Sequence, residues 1–428
     1  MKTLTVREAY DWLYVDEQSP IGLTYMEWDN LLYFLEEKYN GENVVEVGNR
    51  RLRFINLVGV IQLNTVRIEI LPKINLSHEE SVVDRRALLN MLSITKQLPV
   101  QLNNQTISQY EKIDLSHLLA YLFVTELYKA IKRGIYRDYK QKRENLKHLK
   151  GRLLVTQHIQ KNANQSIHAF CEYDELSVNV HLNQVLKAAL RVIFPFIQNS
   201  NLRIQSMMIF ELYEEVDDVY VDTNMLRNIA INRQNQHFKN VLALAEAILK
   251  SKSMNTENNN QIAFSFLFKM NDLYEAYVGE CLSMLLAPTT SYKLDLQHKE
   301  KRLLINIRSG RENIALKPDF VVSKIEDNEA IPILILDTKW KSIFSGTNIN
   351  YNQADIYQMY AYITAYQTAK RCIILYPNVL ERSQLPKWKV PEVIPEKYIE
   401  LTLIRLDQVE NTVADLGKVI FSKGQLKI

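Results

Sequence analysis

Apolar positions along this 428-residue chain change their period several times, and each change marks an element. Trp28 to Tyr39 repeats at helical spacing, whereas Val44 to Val47, Arg51 to Val58 and Val66 to Leu71 alternate like strands separated by polar turns. Residues 1–83 therefore read as a β-rich domain. From 84 to 250 helical patterns dominate, most clearly in Leu115 to Arg133 and Leu182 to Phe194. Residues 251–261 (SKSMNTENNNQ) are polar, lack periodicity and read as a linker. Beyond it, Phe264 to Leu286 reads as one long amphipathic helix ending before Pro288. Lys301 to Ile307 reads as a first strand, with Arg308 to Glu312 as the turn out of it. Two apolar runs follow, then a helix from Asn352 to Thr368 and strands at Arg371 to Tyr376 and Tyr398 to Leu406. The prediction is an α+β multidomain protein: β-rich domain, helical middle region, and a 262–428 α/β domain with a mixed sheet.

Composition narrows the classes. The formal net charge is +3, so contact with nucleic acid would rely on a local patch or on a partner. Lys129 to Lys150 is rich in Lys and Arg, but a solvated helix face is the more ordinary reading of such a run. Cys171, Cys281 and Cys372 are far apart, which argues against structural zinc and a disulfide scaffold. The N-terminus lacks an apolar signal core, and no run approaches the ~20 apolar residues of a membrane span, so a cytoplasmic protein is expected. No Gly-x-x-x-x-Gly-Lys-Ser/Thr loop is present, so the chain does not itself hydrolyse GTP or ATP through a P-loop.

The chemistry concentrates in Leu316 to Lys341 (LKPDFVVSKIEDNEAIPILILDTKWK). Asp319 opens one apolar run, and Asp337 and Lys339 close the next. Residues two apart on a strand share a face, so Asp337 and Lys339 project together, and antiparallel pairing of the two runs would bring Asp319 beside them. This is similar to the PD-(D/E)xK nuclease arrangement. Two carboxylates suit Mg²⁺, which takes few protein ligands and leaves positions for water and phosphate oxygens. Lys339 would position or deprotonate the water, or stabilise developing negative charge. The plainer alternative makes Asp319 a turn residue after Pro318, with Lys339 and Lys341 snorkelling from a strand end. Asp337 weighs against that, because Ile331 to Leu336 before it is almost wholly apolar, as in a central strand, and ligands of open α/β sheets sit at such strand ends.

Two flanking helices add candidates. Glu275 lies mid-helix upstream and could be a third acidic metal ligand or an ordinary exposed helical Glu. Downstream, Gln358 and Tyr362 stand four apart on one face, as in nucleases where a Gln-x-x-x-Tyr pair orders the site and meets the DNA backbone. The other tyrosines of that stripe include Tyr360 and Tyr366, whose rings suit core packing.

Further strings extend the likeness: Val58-Gly59-Val60-Ile61, then Ile68 to Ile74 (IEILPKI), LLNMLSITKQLP from Leu88, Lys150-Gly151-Arg152-Leu153, FCEYDELSVNVHLNQVLK from Phe170, and MNDLYEAYV from Met270. In their order and spacing the chain resembles the McrC family, the nuclease subunits of McrBC-type restriction systems. Read bottom-up, Gly151 suits a turn, and Glu172, Asp174, Glu175 and Asn183 form a polar cluster before a helix that Asp174 or Ser177 could cap. The resemblance implies a cytoplasmic, Mg²⁺-dependent endonuclease acting on double-stranded DNA. Its partner would be an McrB-like AAA+ GTPase hexamer that binds the DNA site and whose hydrolysis this chain stimulates. By motif position it assigns catalysis to Asp319, Asp337 and Lys339, with Glu275 beside them. A free-standing repair nuclease and a non-catalytic activator of a motor are the competing readings.

Overall fold

The computed structural model describes residues 2–16, 22–63, 65–74, 81–98, 102, 104–111, 113–163, 167–251, 262–341, 343–345, 348–378, 385–391 and 393–421. Apart from Ser251, the segment read as a linker lies outside the described residues. The chain divides into two units, one made of 1–115 together with 255–428 and the other of 116–254, a different grouping from the three consecutive segments read from sequence.

The first unit begins with β1 (Lys2–Arg7), β2 (Leu13–Val15), β3 (Gly22–Leu23) and α1 (Tyr25–Tyr39). Thr24 heads α1 with a capping box: its hydroxyl accepts from Glu27 N, and Glu27 Oε2 accepts from Thr24 N at 2.9 Å. Strands β4 (Val45–Gly48), β5 (Arg51–Phe54), β6 (Leu57–Leu63) and β7 (Val66–Leu71) follow, then α2 (Val82–Ile94) and α3 (Asn104–Tyr110). Every residue of β6 and β7 is buried, including Arg67 and Glu69, whose charges are met by Asp114 and Arg85.

The second unit takes α4 (Leu115–Lys132) from Ser116 onwards, followed by β8 (Asp138–Leu146), β9 (Arg152–Leu153), α5 (Val155–Asn162), β10 (Ala169–Ser177), α6 (His181–Ile193), α7 (Ser200–Leu212), α8 (Thr223–Arg227) and α9 (Lys239–Lys250). It corrects the reading of Lys129 to Lys150 as a helix face, because α4 ends at Lys132 and the centre of that basic run is β8, antiparallel to β10. Opposite charges decide this: Arg143 faces Glu172 across the ladder with Nε 2.6 Å from Oε2, and Lys142 pairs with Glu175. Glu172, Asp174 and Glu175 thus belong to a strand. Neither Asp174 nor Ser177 caps α6, whose N-cap is Val180, while buried Asn183 donates to the carbonyls of Tyr136 and Val178 at 2.8 and 2.7 Å. Gly151 does sit in a left-handed turn, φ +67°.

The chain returns to the first unit with β11 (Ile262–Lys269), and the single helix expected from Phe264 begins only at Met270 as α10 (Met270–Leu286). Period-two Phe264, Phe266 and Phe268 lie along β11, which pairs antiparallel with β6 and completes a sheet of order β1-β7-β6-β11. Gly59 makes this pairing possible. At φ +130° a Cβ there would lie 2.0 Å from the carbonyl oxygen of Phe266.

The remaining elements are β12 (Tyr292–Leu296), β13 (Arg302–Ile305), β14 (Glu312–Ala315), β15 (Phe320–Glu326), β16 (Glu329–Thr338), β17 (Phe344–Ser345), β18 (Asn348–Ile349), α11 (Gln353–Ala365), β19 (Arg371–Pro377), β20 (Lys387–Lys389), β21 (Tyr398–Ile404) and α12 (Val409–Ile420). They build a six-stranded mixed sheet, order β12-β15-β16-β19-β21-β20, parallel across β16, β19 and β21 and antiparallel elsewhere. Its first strand is β12, not the expected Lys301 to Ile307. That run instead forms β13, which pairs with β14 in an exposed side hairpin. Alternating Tyr292, Leu294 and Leu296 fit a sheet margin, whereas consecutive Leu303, Leu304 and Ile305 have no second layer to bury them. Pro332 is accommodated beside a bulge in β16, where Ile333 is skipped between the Val322–Leu334 and Ser323–Pro332 pairs and a missing N–H is tolerated. Among the described residues no helix is long and apolar enough to cross a membrane.

Candidate active site

The central strand β16 places the site. Its second half, Leu334 to Thr338, is buried between β15 and β19, so the chain leaves the sheet's interior at Asp337. Phe320 pairs with Leu336 antiparallel, which sets Asp319 level with Asp337 at the same sheet end. Thr338 locks this arrangement by donating both its backbone N–H and its hydroxyl to Asp319 Oδ2, each at 2.6 Å. Asp319 is thereby fixed by the residue between Asp337 and Lys339. Lys339 N donates to Leu375 O at 3.0 Å and anchors the same segment to β19.

The electrostatics of the pair are unbalanced. Asp337 is 1 % exposed, and Lys339 Nζ lies 2.5 Å from its Oδ2 as an ion pair without hydrogen-bond geometry. Neither carboxylate oxygen accepts a hydrogen bond among the described residues. Burial pushes the Asp337 pKa up to about 7, with the Asp319 charge adding to the rise and Lys339 opposing it. Burial alone would lower the Lys339 pKa, but Asp337, then Asp319 and Asp355, outweigh it and hold the amine above its ordinary value. The centre therefore has an excess of negative charge over nearby donors.

Glu275 is on α10, and Gly279, one turn further on, lets this helix approach β15: a Cβ there would lie 3.1 Å from the Phe320 ring. Gln297 Nε2 donates to Glu275 Oε1 at 3.0 Å, and Gln297 N donates to Asp319 O at 2.7 Å. Burial raises the Glu275 pKa, Gln297 opposes it, and Asp319 adds to the rise. Glu275 is thus within electrostatic reach of the pair. Even so, no group of three His, Cys, Asp or Glu side chains converges at metal-binding distance among the described residues.

Gln358 and Tyr362 meet as expected on α11. Gln358 Nε2 donates to Tyr362 Oη at 2.7 Å, and Tyr362 Oη donates to Lys317 O at 2.9 Å, steadying the turn that leads to Asp319. The rest of the tyrosine stripe splits. Tyr366 is buried and bonded to His298 Nδ1 at 2.7 Å, whereas Tyr360, also read as a core candidate, is 48 % exposed because it falls on the opposite helix face.

Sequence reasoning missed Asp355. It is buried in the first turn of α11, is paired with Lys341 Nζ at 3.0 Å, and its charge bears on both Asp337 and Lys339. Its position one turn before Gln358 is the only signal the sequence offers.

A profile described as McrBC 5-methylcytosine restriction system component matches residues 52–377. The chain therefore belongs to the McrBC family of restriction-system components. It superposes on a chain of the refined half-complex from the tetradecameric assembly of Thermococcus gammatolerans McrB AAA+ hexamers with bound McrC, with TM-score 0.73 and 18% identity over 97% of this chain and all of that one. A chain of the T. gammatolerans McrBC complex matches with TM-score 0.53 and 20% identity, covering 66% of this chain and 88% of the other. No curated protein matches.

Proposed function

We propose that this McrBC-type subunit is a Mg²⁺-dependent DNA endonuclease of the PD-(D/E)xK type that cuts double-stranded DNA in the cytoplasm when bound to an McrB-like AAA+ GTPase hexamer. The observation that carries the reading is Asp337: a buried carboxylate that among the described residues is met by the Lys339 amine and no other donor, beside Asp319 at the end of a central strand. A structural role would have filled those oxygens with donors, because an unsatisfied buried carboxylate is costly. A divalent cation suits the donor set, since the oxygens are hard, acidic and short of positive charge. Asp337 and Asp319 would hold it, with Glu275 contributing from α10. When bound, the ion would supply charge neutralisation for phosphate oxygens and a more acidic water.

The chain's own residues do the rest. Asp337 must give up its proton to hold a cation, so binding is coupled to deprotonation near neutral pH. Lys339, with its pKa raised, stays protonated and supplies positive charge towards the phosphate oxygens, not a base. Tyr362 and Gln358 keep the Asp319 turn in place, and Gln297 ties Glu275 to the same turn. The partner assignment draws support from the T. gammatolerans neighbours, one described as McrC bound to McrB AAA+ hexamers.

The test is cleavage of plasmids with methylated and unmethylated candidate sites, by this protein with and without its AAA+ partner, in GTP and Mg²⁺. Cleavage only in the complete mixture is expected. Cleavage by this chain alone would favour the free-standing nuclease, and GTPase stimulation without any cleavage the non-catalytic activator.

A further inference from the structure

Glu8 follows β1 and is 0 % exposed, far in sequence from the strand end that carries Asp337. Its carboxylate gathers partners from three separate segments. Oε1 accepts from the Trp340 indole Nε1 at 2.7 Å and lies 3.4 Å from Lys73 Nζ, while Oε2 accepts from Asn56 N at 3.2 Å. Two of these partners lead to the candidate site. Trp340 is the residue after Lys339, and its ring packs edge-on against Tyr274, the residue before Glu275, at 5.4 Å between centroids. Asn56 turns the chain from β5 to β6 at φ +54° and accepts from the first two N–H groups of α10, Met270 N at 3.1 Å and Asn271 N at 2.7 Å.

Burying a carboxylate is justified only when its oxygens are met by donors, and here those donors come from the segments whose relative placement defines the site. The chain leaves β16 at Thr338, and residues just past a strand end fray unless something holds them. The indole bond supplies that hold one residue beyond Lys339. Asn56 holds the head of the helix that carries Glu275. We propose that Glu8 is a positioning residue for DNA cleavage, fixing the Asp337-to-Lys339 strand end and the head of α10 to the N-terminal sheet through Trp340 and Asn56. This rests on the nuclease reading above.

The test uses the full complex with its AAA+ partner, GTP, Mg²⁺ and plasmid DNA. Trp340→Phe keeps a ring and removes the N–H, Glu8→Gln keeps an acceptor, and Glu8→Leu removes it. Trp340→Phe and Glu8→Leu are expected to lower kcat for cleavage by about tenfold to a hundredfold, the range expected when reacting groups are displaced by up to an ångström. KM for DNA and stimulation of the partner's GTP hydrolysis should hold, Glu8→Gln should retain most activity, and the Glu8→Leu/Trp340→Phe double variant should be no worse than the weaker single. A Trp340→Phe protein that cuts with wild-type kcat, or single effects that multiply, would overturn the proposal. So would parallel losses of cleavage, GTPase stimulation and melting temperature, which mark a general packing role. If Glu8→Leu fails to fold, Trp340→Phe and Glu8→Gln decide the question by the same criteria. A wild-type complex that does not cut defeats the nuclease reading and this inference with it, whereas a cutting wild type with an indifferent Trp340→Phe defeats the inference alone.

Discussion

Glu69 on β7 and Asp337 on β16 are both 1 % exposed, and the protein treats them in opposite ways. Arg85 approaches Glu69 in a two-pronged pair, Nε to Oε1 at 3.0 Å and Nη2 to Oε2 at 2.6 Å, and Leu115 N and Thr5 Oγ1 complete the shell at 3.2 and 3.3 Å. Burial works to lower the Arg85 pKa, and Glu69 more than reverses it. Among the described residues Asp337 has Lys339 alone. A buried charge with its donors in place stabilises an arrangement of strands and helices, whereas one left short of donors is held ready for something that arrives later. On the proposed nuclease reading, scaffold and chemistry within one unit differ in how completely a carboxylate is met.

That contrast can be broken at either end. The largest stability effect belongs to Glu69→Ala, which strands the Arg85 guanidinium in the core and should cost about 3–5 kcal/mol, read as a lower denaturant midpoint. Asp337→Asn should move stability the other way, and with pH. Because the folded-state pKa of Asp337 is raised from 3.8 to about 7, chiefly by burial, the folded state binds this proton more tightly than the unfolded chain does. Its contribution is present at low pH and is lost as pH rises through that window. Asp337→Asn escapes the loss, so it should be more stable than wild type by about 2–4 kcal/mol above neutral pH, with the gap closing below about pH 4. Urea melts of both proteins across the range check the sign. An Asp337→Asn protein less stable than wild type above neutral pH, with its deficit closing towards acid, would mean that Asp337 is a satisfied structural carboxylate after all. The smallest effect is expected for Glu275→Gln, which keeps a partner for Gln297 and should slow cleavage about tenfold with little change in stability, measured as single-turnover DNA cutting.

How far the sequence revealed this depends on how local the deciding physics is. Asp319, Asp337 and Lys339 were legible because strand alternation and the wholly apolar Ile331 to Leu336 are local signals, and β15 and β16 pair as that pattern implies. The Gln358 to Tyr362 bond followed from helical spacing alone. The start of α10 was not legible. Phe264 to Lys269 is apolar at spacings that suit a helix or a strand, and only pairing with β6, set in the N-terminal sheet, decides between them. Cross-strand charge pairs placed Glu172 and Glu175 opposite β8, which a run of basic residues could not foretell. The bond between Glu8 and Trp340 spans 332 residues, and no pattern within either segment points to the other.

The most direct measurement follows DNA cleavage and GTP hydrolysis in one reaction for the complex carrying Asp337→Asn. The account predicts that cutting falls at least about a thousandfold while the partner's GTP hydrolysis stays stimulated, since the amide preserves packing but cannot hold a cation. Continued cutting at the wild-type rate would contradict it and move the chemistry away from the end of β16.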